Sequence, residues 1–267
     1  MSMVRTLLGR QLWHLRWILS ALMLGLVGFE MLVIHLAQAF DAGPGIDQLL
    51  GMLPQLLQDL VNSQIATTTF PAFVAFGFMH PAAMVGCFAV LLMLATTPPG
   101  DRDSGLLDLL LARPLPRRTY LAASVAGVVL ASLVLPCCIL LGCALGLATV
   151  EVEGQQPWTD YVPACAQLSG LLLAFGGLGL AIATTARRRG TAIARSVSLI
   201  LLCYAIDTLS RFSTLLGPLI WATPFAYFDP IRAALEPDFP WIGQLTLWGV
   251  FGLSTLLSFR RFETRDL

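Results

Sequence analysis

Lysine is absent from this chain, and all 16 of its basic residues are arginine. ATP hydrolysis at a P-loop needs a lysine that reaches the phosphates of the nucleotide. The chain therefore cannot hydrolyse ATP by that route alone. A protein that used ATP in this way would need a second chain to supply the ATPase.

Charge of either sign is scarce. Only 12% of the 267 residues are charged, whereas a typical soluble domain has about a quarter. Apolar residues make up 57% of the chain, and its mean hydropathy is +0.77. Runs of about 20 apolar residues recur, each long enough to cross a hydrocarbon core of about 30 Å. The composition predicts an all-α, multi-pass membrane protein with a single membrane domain over residues 1–267.

Residues suited to enzymatic or metal chemistry are few. The three histidines are dispersed, and neither an H-E-x-x-H nor a G-x-S-x-G motif occurs, which disfavours a membrane enzyme. His80, Met84 and Cys87 share the spacing of one helical face, and soft ligands suit copper. Pro81 would disturb that turn, and Met and Cys commonly fill apolar interiors, so we favour a packed helix and expect no metal. The cysteines lack C-x-x-C spacing and predict neither a zinc site nor a disulfide framework.

Six apolar segments are long enough to span a membrane. We predict spans at Trp17–Ala39, Phe70–Thr97, Tyr120–Val150, Val162–Thr185, Thr191–Leu216 and Trp241–Phe259. Pro81 and Pro136 predict a kink in the second span and a bend in the third.

The segments between the spans are partly amphipathic. Met1–Arg16 has a helical apolar period with arginines on the other side, which favours an interfacial helix before span one; the alternative is an inward extension of that span. It lacks the pattern of a removable signal peptide. A similar stripe over 46–61 predicts an amphipathic helix on the outer side. Five prolines interrupt Gly217–Pro240, so we expect a re-entrant hairpin of two short helices there.

The arginines favour one orientation in the membrane. On this topology 14 of the 16 arginines lie on one side, and only Arg211 and Arg232 face the other. The positive-inside rule then predicts cytoplasmic termini in an inner, or cytoplasmic, membrane.

The longest polar segment on the arginine-rich side is Asp101–Tyr120. We expect Pro98-Pro99-Gly100 to end span two and Ser104 to be the N-cap of a short helix over Leu106–Ala112. Asp101 and Asp103 would then lie at the positive end of that helix. A solvated loop with one apolar turn is the alternative.

Ionisable residues inside the spans are candidates for a functional role, since they are costly there unless paired or hydrated. Glu30 lies near the middle of span one. Asp207 and Arg211 are spaced i, i+4 on span five, which favours a pair within the helix over a role in transport.

Two sequence segments resemble the type-2 ABC exporter permease family. DRDSGLLDLLLARPLPRRTYLAASVAG, from Asp101 to Gly127, is similar to the family's acidic–arginine–acidic stretch, its Gly-x-Leu-x-x-Leu-Leu helix and its Pro-x-x-Arg entry into span three. TPFAYFDPIRAAL, from Thr223 to Leu235, is similar to the segment before the last span in permeases related to the nitrous-oxide-reductase maturation transporter. Aspartates replace the common glutamates at Asp101 and Asp103, and Leu107 replaces a frequent threonine.

The resemblance implies an architecture and a set of partners. The N-terminal helix would be the family's elbow helix, and a coupling helix between spans two and three would contact the ATPase. The coupling interface would comprise Asp101, Arg102, Asp103, Ser104, Gly105, Leu106, Leu107, Asp108, Leu109, Leu110 and Arg113. The outer re-entrant motif would comprise Pro224, Phe225, Tyr227, Phe228 and Pro230.

The resemblance also implies that this chain is a non-catalytic subunit without a cofactor of its own. Two permease chains, expected as a homodimer, would work in the bilayer with two copies of a separate ATPase that binds ATP and Mg. The complex would export a substrate or transmit force to an accessory protein on the outer face, and we expect no nucleic-acid partner.

An ion- or proton-coupled secondary transporter is the alternative from another class. It would use Glu30, Asp207 and Arg211, and its signature would be an internal repeat with broken helices in matching halves. No clear repeat is present in the sequence. Co-purification with a P-loop ATPase would separate the two hypotheses.

Overall fold

The computed structural model describes residues 2–41, 69–106, 116–210 and 217–264. Within these ranges every regular element is a helix. The outer amphipathic helix predicted over 46–61 lies outside the described residues.

The first helix, α1, covers Ser2–Asp41. At about 1.5 Å per residue, its 40 residues extend about 60 Å, twice the thickness of a hydrocarbon core. A separate elbow helix before span one is therefore not confirmed; the structure has the alternative, an extension of the span. The physical reason is that no proline interrupts these residues, so the helix propagates through the arginine-bearing turns.

Span two is divided at Pro81. Phe70–Phe76 (α2) is followed by a 3-10 turn over Gly77–Met79 and by a second helix, Pro81–Ala95 (α3). His80 between them is extended, with ψ of 130°, as the residue before a proline prefers. Its Nδ1 accepts a hydrogen bond from the amide of Ala82 at 3.2 Å. The predicted kink is therefore the start of a new helix.

Six further α-helices follow within the described ranges. They are Thr97–Asp103 (α4), Arg117–Leu147 (α5), Val162–Thr185 (α6), Arg189–Ser210 (α7), Pro230–Leu235 (α8) and Trp241–Thr264 (α9). Short 3-10 helices cover Trp158–Tyr161, Gly217–Ala222 and Pro224–Tyr227. The segment before the last span thus contains three short helices rather than the predicted two.

Six helical segments among the described residues are long and apolar enough to cross a membrane. These segments are Met3–Ala39, Phe70–Ala95, Arg117–Leu147, Trp158–Thr185, Arg189–Ser210 and Trp241–Phe262. Their number and order confirm the six predicted spans, with differences of a few residues at most of their ends and a larger one at the start of α1.

Helix α6 lies at the centre of the bundle. In the most apolar 18-residue stretch of its span 72% is buried, whereas the corresponding stretches of the spans of α1, α7 and α9 are each 22% buried. Helix α9 packs along α6, and α1 packs along α5. A glycine allows α1 and α5 to approach closely, because a Cβ on Gly142 of α5 would lie 2.5 Å from the carbonyl oxygen of Val27 on α1.

Candidate functional site

Pro98-Pro99-Gly100 do not end the helical conformation after span two, so that prediction is wrong. These residues lie within α4, which begins directly after Thr96. The reason is positional: the prolines occupy the first turn of α4, where a helix does not need their missing N–H groups. Both prolines are buried. Span two is thus prolonged by a short helix that carries the acidic residues.

Helix α4 ends at the residues expected to begin the coupling helix. Ser104 is its C-cap rather than an N-cap, and the Ser104 hydroxyl donates to the carbonyl oxygen of Asp101 at 3.1 Å. Gly105 follows with a φ of 70°, and its N–H donates to the carbonyl oxygen of Arg102 at 3.0 Å. Glycine adopts this left-handed conformation without steric penalty, and Gly105 therefore terminates α4. Asp101 and Asp103 consequently lie at the C-terminal end of a helix.

Asp101 joins α4 to two long helices. The guanidinium of Arg10 on α1 donates to Asp101 Oδ2 at 2.5 Å, and the hydroxyl of Tyr120 on α5 donates to the same oxygen at 2.6 Å. The side chains of Arg10 and Asp101 are only 25% and 14% exposed. This ion pair is therefore less screened by solvent than a surface pair.

Two more contacts strengthen the link among the long helices. The amide of Gln11 on α1 donates to the hydroxyl of Ser124 on α5 at 3.3 Å. The ring of Tyr120 stacks on that of Phe262 in α9, with centroids 6.1 Å apart and an interplanar angle of 17°. Tyr120 thus lies between the acidic end of α4 and the last span.

Asp103 joins α4 to the fifth span. Its Oδ2 accepts a hydrogen bond from the backbone N–H of Arg189 at 2.6 Å, at the first turn of α7. A carboxylate is favoured there by the unsatisfied N–H groups and the positive end of the helix. The Arg189 guanidinium donates to the carbonyl oxygen of Met93 at 3.3 Å, and its Cδ would be 2.9 Å from a Cβ on Gly100.

We call this set of residues the α4 junction; it consists of Arg10, Asp101, Asp103, Tyr120 and Arg189. It connects a short helix to α1, α5 and α7 through side chains and continues span two through the backbone. A cavity of about 250 Å³ beside it is lined by polar groups that include His14, Thr97 and Ser104. A displacement of α4 would act on four of the six spans.

The remaining residues of the predicted coupling interface are placed only in part. Arg102 is half-buried on α4, and Leu106 is half-buried after Gly105. The rest of the interface lies outside the described residues, namely Leu107, Asp108, Leu109, Leu110 and Arg113. The helix predicted over Leu106–Ala112 therefore stays a prediction.

Glu30 is fully buried where α1 meets span two and α5. Its carboxylate lies against Gly77, in the space that a Cβ there would fill, and its Cβ would be 2.9 Å from a Cβ on Gly142. Neither carboxylate oxygen has a hydrogen-bond partner among the described residues. Asp207 is buried on a different helix, α7, and Arg211 lies outside the described residues. The predicted Asp207–Arg211 pair therefore stays a prediction.

The residues considered as copper ligands, namely His80, Met84 and Cys87, pack against apolar or aromatic neighbours. Met84 and Cys87 are buried in the core of the bundle. The His80 ring packs on Phe29 and Phe76, with centroids 4.9 and 5.5 Å away. Among the described residues no group of three or more His, Cys, Asp or Glu side chains could hold a metal ion.

Aromatic rings pack the segment predicted as the outer re-entrant motif against the bundle. Phe225 is buried and packs against Phe175 on α6, Tyr204 on α7 and Phe88 on α3, with centroids 5.1, 5.7 and 6.5 Å away. The Tyr227 hydroxyl donates to the carbonyl oxygen of Trp221 at 3.0 Å. Phe228 is half-buried, and Pro224 and Pro230 are buried in the first turns of their short helices.

A buried network of side-chain amides also connects this segment to α6 and α9. Gln167 on α6 donates to the side-chain oxygen of Gln244 on α9 at 3.2 Å and accepts from the backbone N–H of Asp229 at 3.4 Å. Gln167 and Gln244 are fully or nearly fully buried. The sequence contains one signal of this network, namely two amide side chains inside predicted apolar spans, but it does not predict their pairing.

Six membrane-length helices lie among the described residues, and a short polar helix links several of them, so the chain is a multi-pass membrane protein. The chain belongs to the ABC-2 family transporter protein family, whose family model matches residues 11–234. The match extends from α1 to α8 and confirms the resemblance to type-2 ABC permeases. Permeases of this family are generally non-catalytic membrane components that work with an ABC ATPase. No curated protein matches the chain.

Proposed function

We propose that this chain is the permease subunit of an ATP-driven transporter whose ATPase is a separate subunit. The observation that carries the proposal is the α4 junction, which ties one short polar helix to α1, α5 and α7. Family membership and the absence of lysine support a division of labour between two chains.

The proposed coupling element is the stretch from Asp101 to Arg113. It begins in the last turn of α4 and precedes α5, so a partner bound to it would move both helices. The Arg10–Asp101 pair would carry that motion to α1, and the Asp103 contact with Arg189 would carry it to α7. ATP binding performs work here only if the ATPase binds one conformation of this stretch better than another.

The assembly that we propose contains two permease chains, as a homodimer, and two ATPase subunits that bind ATP and Mg. The distribution of the arginines supports an inner-membrane location with both termini and the α4 junction in the cytoplasm. The complex would export a substrate or transmit force to an accessory protein on the outer face.

We further propose that the chain is related to the nitrous-oxide-reductase maturation permeases. The sequence of the segment Thr223–Leu235 supports this, and Phe225 within it packs against α3, α6 and α7. Such a packed segment would provide a fixed surface on the outer side for a partner.

Affinity purification from native membranes tests the proposal. A tagged chain should retain a protein with a P-loop lysine at equal stoichiometry, and Leu110→Asp should release it, because a charge would replace an apolar contact. Arg5→Ala removes an exposed arginine of α1 that is not among the proposed interface residues, and it is the control. Purification without any P-loop ATPase would contradict the proposal.

A further inference from the structure

An apolar groove runs between α1 and α5 near the arginine-rich end of the bundle. The cavity has a volume of about 300 Å³, at the lower end of the range for small-molecule sites. Its walls are mainly aliphatic and include Leu12, Leu19, Met23, Leu130, Ala131 and Val134. A groove of this kind inside a bilayer would accept a hydrocarbon chain.

Among the described residues that line this groove, Arg16 is the one that carries a charge. Its guanidinium lies 3.7 Å from the centroid of the Trp13 ring and 5.5 Å from that of Trp17. Its Nη1 atom is buried and has no hydrogen-bond partner among the described residues. A buried guanidinium nitrogen without an acceptor is costly, so the position favours an anionic oxygen as ligand.

The length of the groove fits one leaflet. Side chains on a helix point back toward its N-terminus, which puts the Arg16 guanidinium level with Trp13. From Trp13 to Met23 is about 15 Å along the helix, close to half of the ~30 Å hydrocarbon core. Trp13 and Trp17 are 67% and 76% exposed, and tryptophan favours the headgroup level of a membrane.

We propose that this groove is a binding site for a membrane phospholipid. The phosphate would accept hydrogen bonds from Arg16, whose planar guanidinium matches a phosphodiester, and one acyl chain would lie between Leu19, Met23 and Val134. The polar headgroup would lie beside Trp13 and Trp17. None of the residues of this site belongs to the proposed ATPase interface, so the lipid site and the proposed function are tested separately.

The first experiment measures lipid retention. The full-length chain is purified in detergent, washed free of lipid and incubated with phosphatidylglycerol, and bound lipids are counted by native mass spectrometry. Wild type and the control Arg5→Gln, an exposed arginine on the same helix, should each retain one lipid per chain. Arg16→Gln should retain at least tenfold less, and Arg16→Lys should retain an intermediate amount.

A second variant tests the apolar part of the site. Leu130→Trp fills the groove from its exposed rim and should reduce retention without removing a charge. Unfolding of each variant is followed in parallel, so that lost lipid is not confused with a lost fold. Equal retention by wild type, Arg16→Gln and Leu130→Trp would overturn the proposal.

A second copy of this chain is the other candidate occupant, and cross-linking distinguishes it. Leu130→Cys is introduced in a Cys137→Ser background, because Cys137 is exposed on the same helix. A lipid in the groove predicts no disulfide-linked dimer after oxidation of native membranes. Efficient cross-linking between two chains at position 130 would assign the groove to a protein interface and overturn the lipid site.

Discussion

Replacing Asp101 by alanine should be the most damaging single change at the α4 junction. The substitution removes the acceptor of two hydrogen bonds, from the Arg10 guanidinium and the Tyr120 hydroxyl. Hydrogen bonds to charged groups contribute about 1.5–3 kcal/mol each. Arg10 is 25% exposed and can recover water, whereas Tyr120 is fully buried and cannot. We therefore expect a loss of about 3 kcal/mol in the free energy of unfolding.

A double-mutant cycle isolates the ion pair from the rest of this loss. Arg10→Ala alone should cost about 2 kcal/mol, because it leaves the part-buried carboxylate with Tyr120 as its remaining donor. The double variant with Asp101→Ala should cost about 1–2 kcal/mol less than the sum of the single changes, as coupled neighbours do. Unfolding in mixed micelles, followed by tryptophan fluorescence, measures these differences.

A control variant and an additivity test complete this experiment. Arg5→Ala removes an exposed arginine from the same helix and should change stability by no more than about 0.5 kcal/mol. If Arg10→Ala and Asp101→Ala are additive within about 0.3 kcal/mol, the two side chains do not act as a pair. The junction would then not connect α4 to α1.

Two further predictions concern the cap of α7 and the packing of α1 on α5. Asp103→Ala should destabilise the protein by about 1 kcal/mol, because it removes the cap of α7, while Asp103→Asn should restore most of the loss; thermal unfolding measures both. Gly142→Ala should destabilise by more than 1 kcal/mol, since its methyl group would meet the backbone of α1, whereas Gly28→Ala has open space and should stabilise by up to about 1 kcal/mol. Equal effects of the two glycine changes would contradict the close approach of α1 and α5.

The six spans could be predicted from sequence because their main requirement is local. A run of about 20 apolar residues satisfies the length of the bilayer whatever its neighbours are. Helix ends are less local. Pro98-Pro99-Gly100 contains residues that usually stop a helix, yet the prolines are accepted in the first turn of a new one. The same sequence is therefore compatible with the end of one helix and with the beginning of another, and tertiary packing determines which of the two forms.

The α4 junction could be predicted only in part. The resemblance to type-2 ABC permeases points to Asp101 and Asp103 as functional candidates, but it does not give their partners. Arg10 is 91 positions away from Asp101, and Arg189 is 86 positions away from Asp103. Charges alone do not specify which pairs form, because many arginines share the same side of the membrane. The pairing depends on how α1, α5 and α7 pack at the end of span two.

The extension of α1 has a similar cause. An amphipathic pattern over Met1–Arg16 is compatible with a separate surface helix and with the end of a long one. Arg10 is accepted in the long helix because it reaches Asp101, and Arg16 because it lies on the tryptophan rings. Neither contact is visible in the periodicity of the sequence.

The ATPase rate of the reconstituted complex directly tests whether Asp101–Arg113 is the coupling element. We expect Leu110→Asp to abolish the dependence of ATP hydrolysis on the permease, and Gly105→Pro to do the same, because proline cannot adopt the φ of 70° at that residue. Gly154 also has a positive φ, of 80°, but lies in the loop between α5 and α6, so Gly154→Pro should leave coupling unchanged even if it lowers stability. Full coupled activity with both Leu110→Asp and Gly105→Pro would contradict the assignment of this stretch as the coupling element.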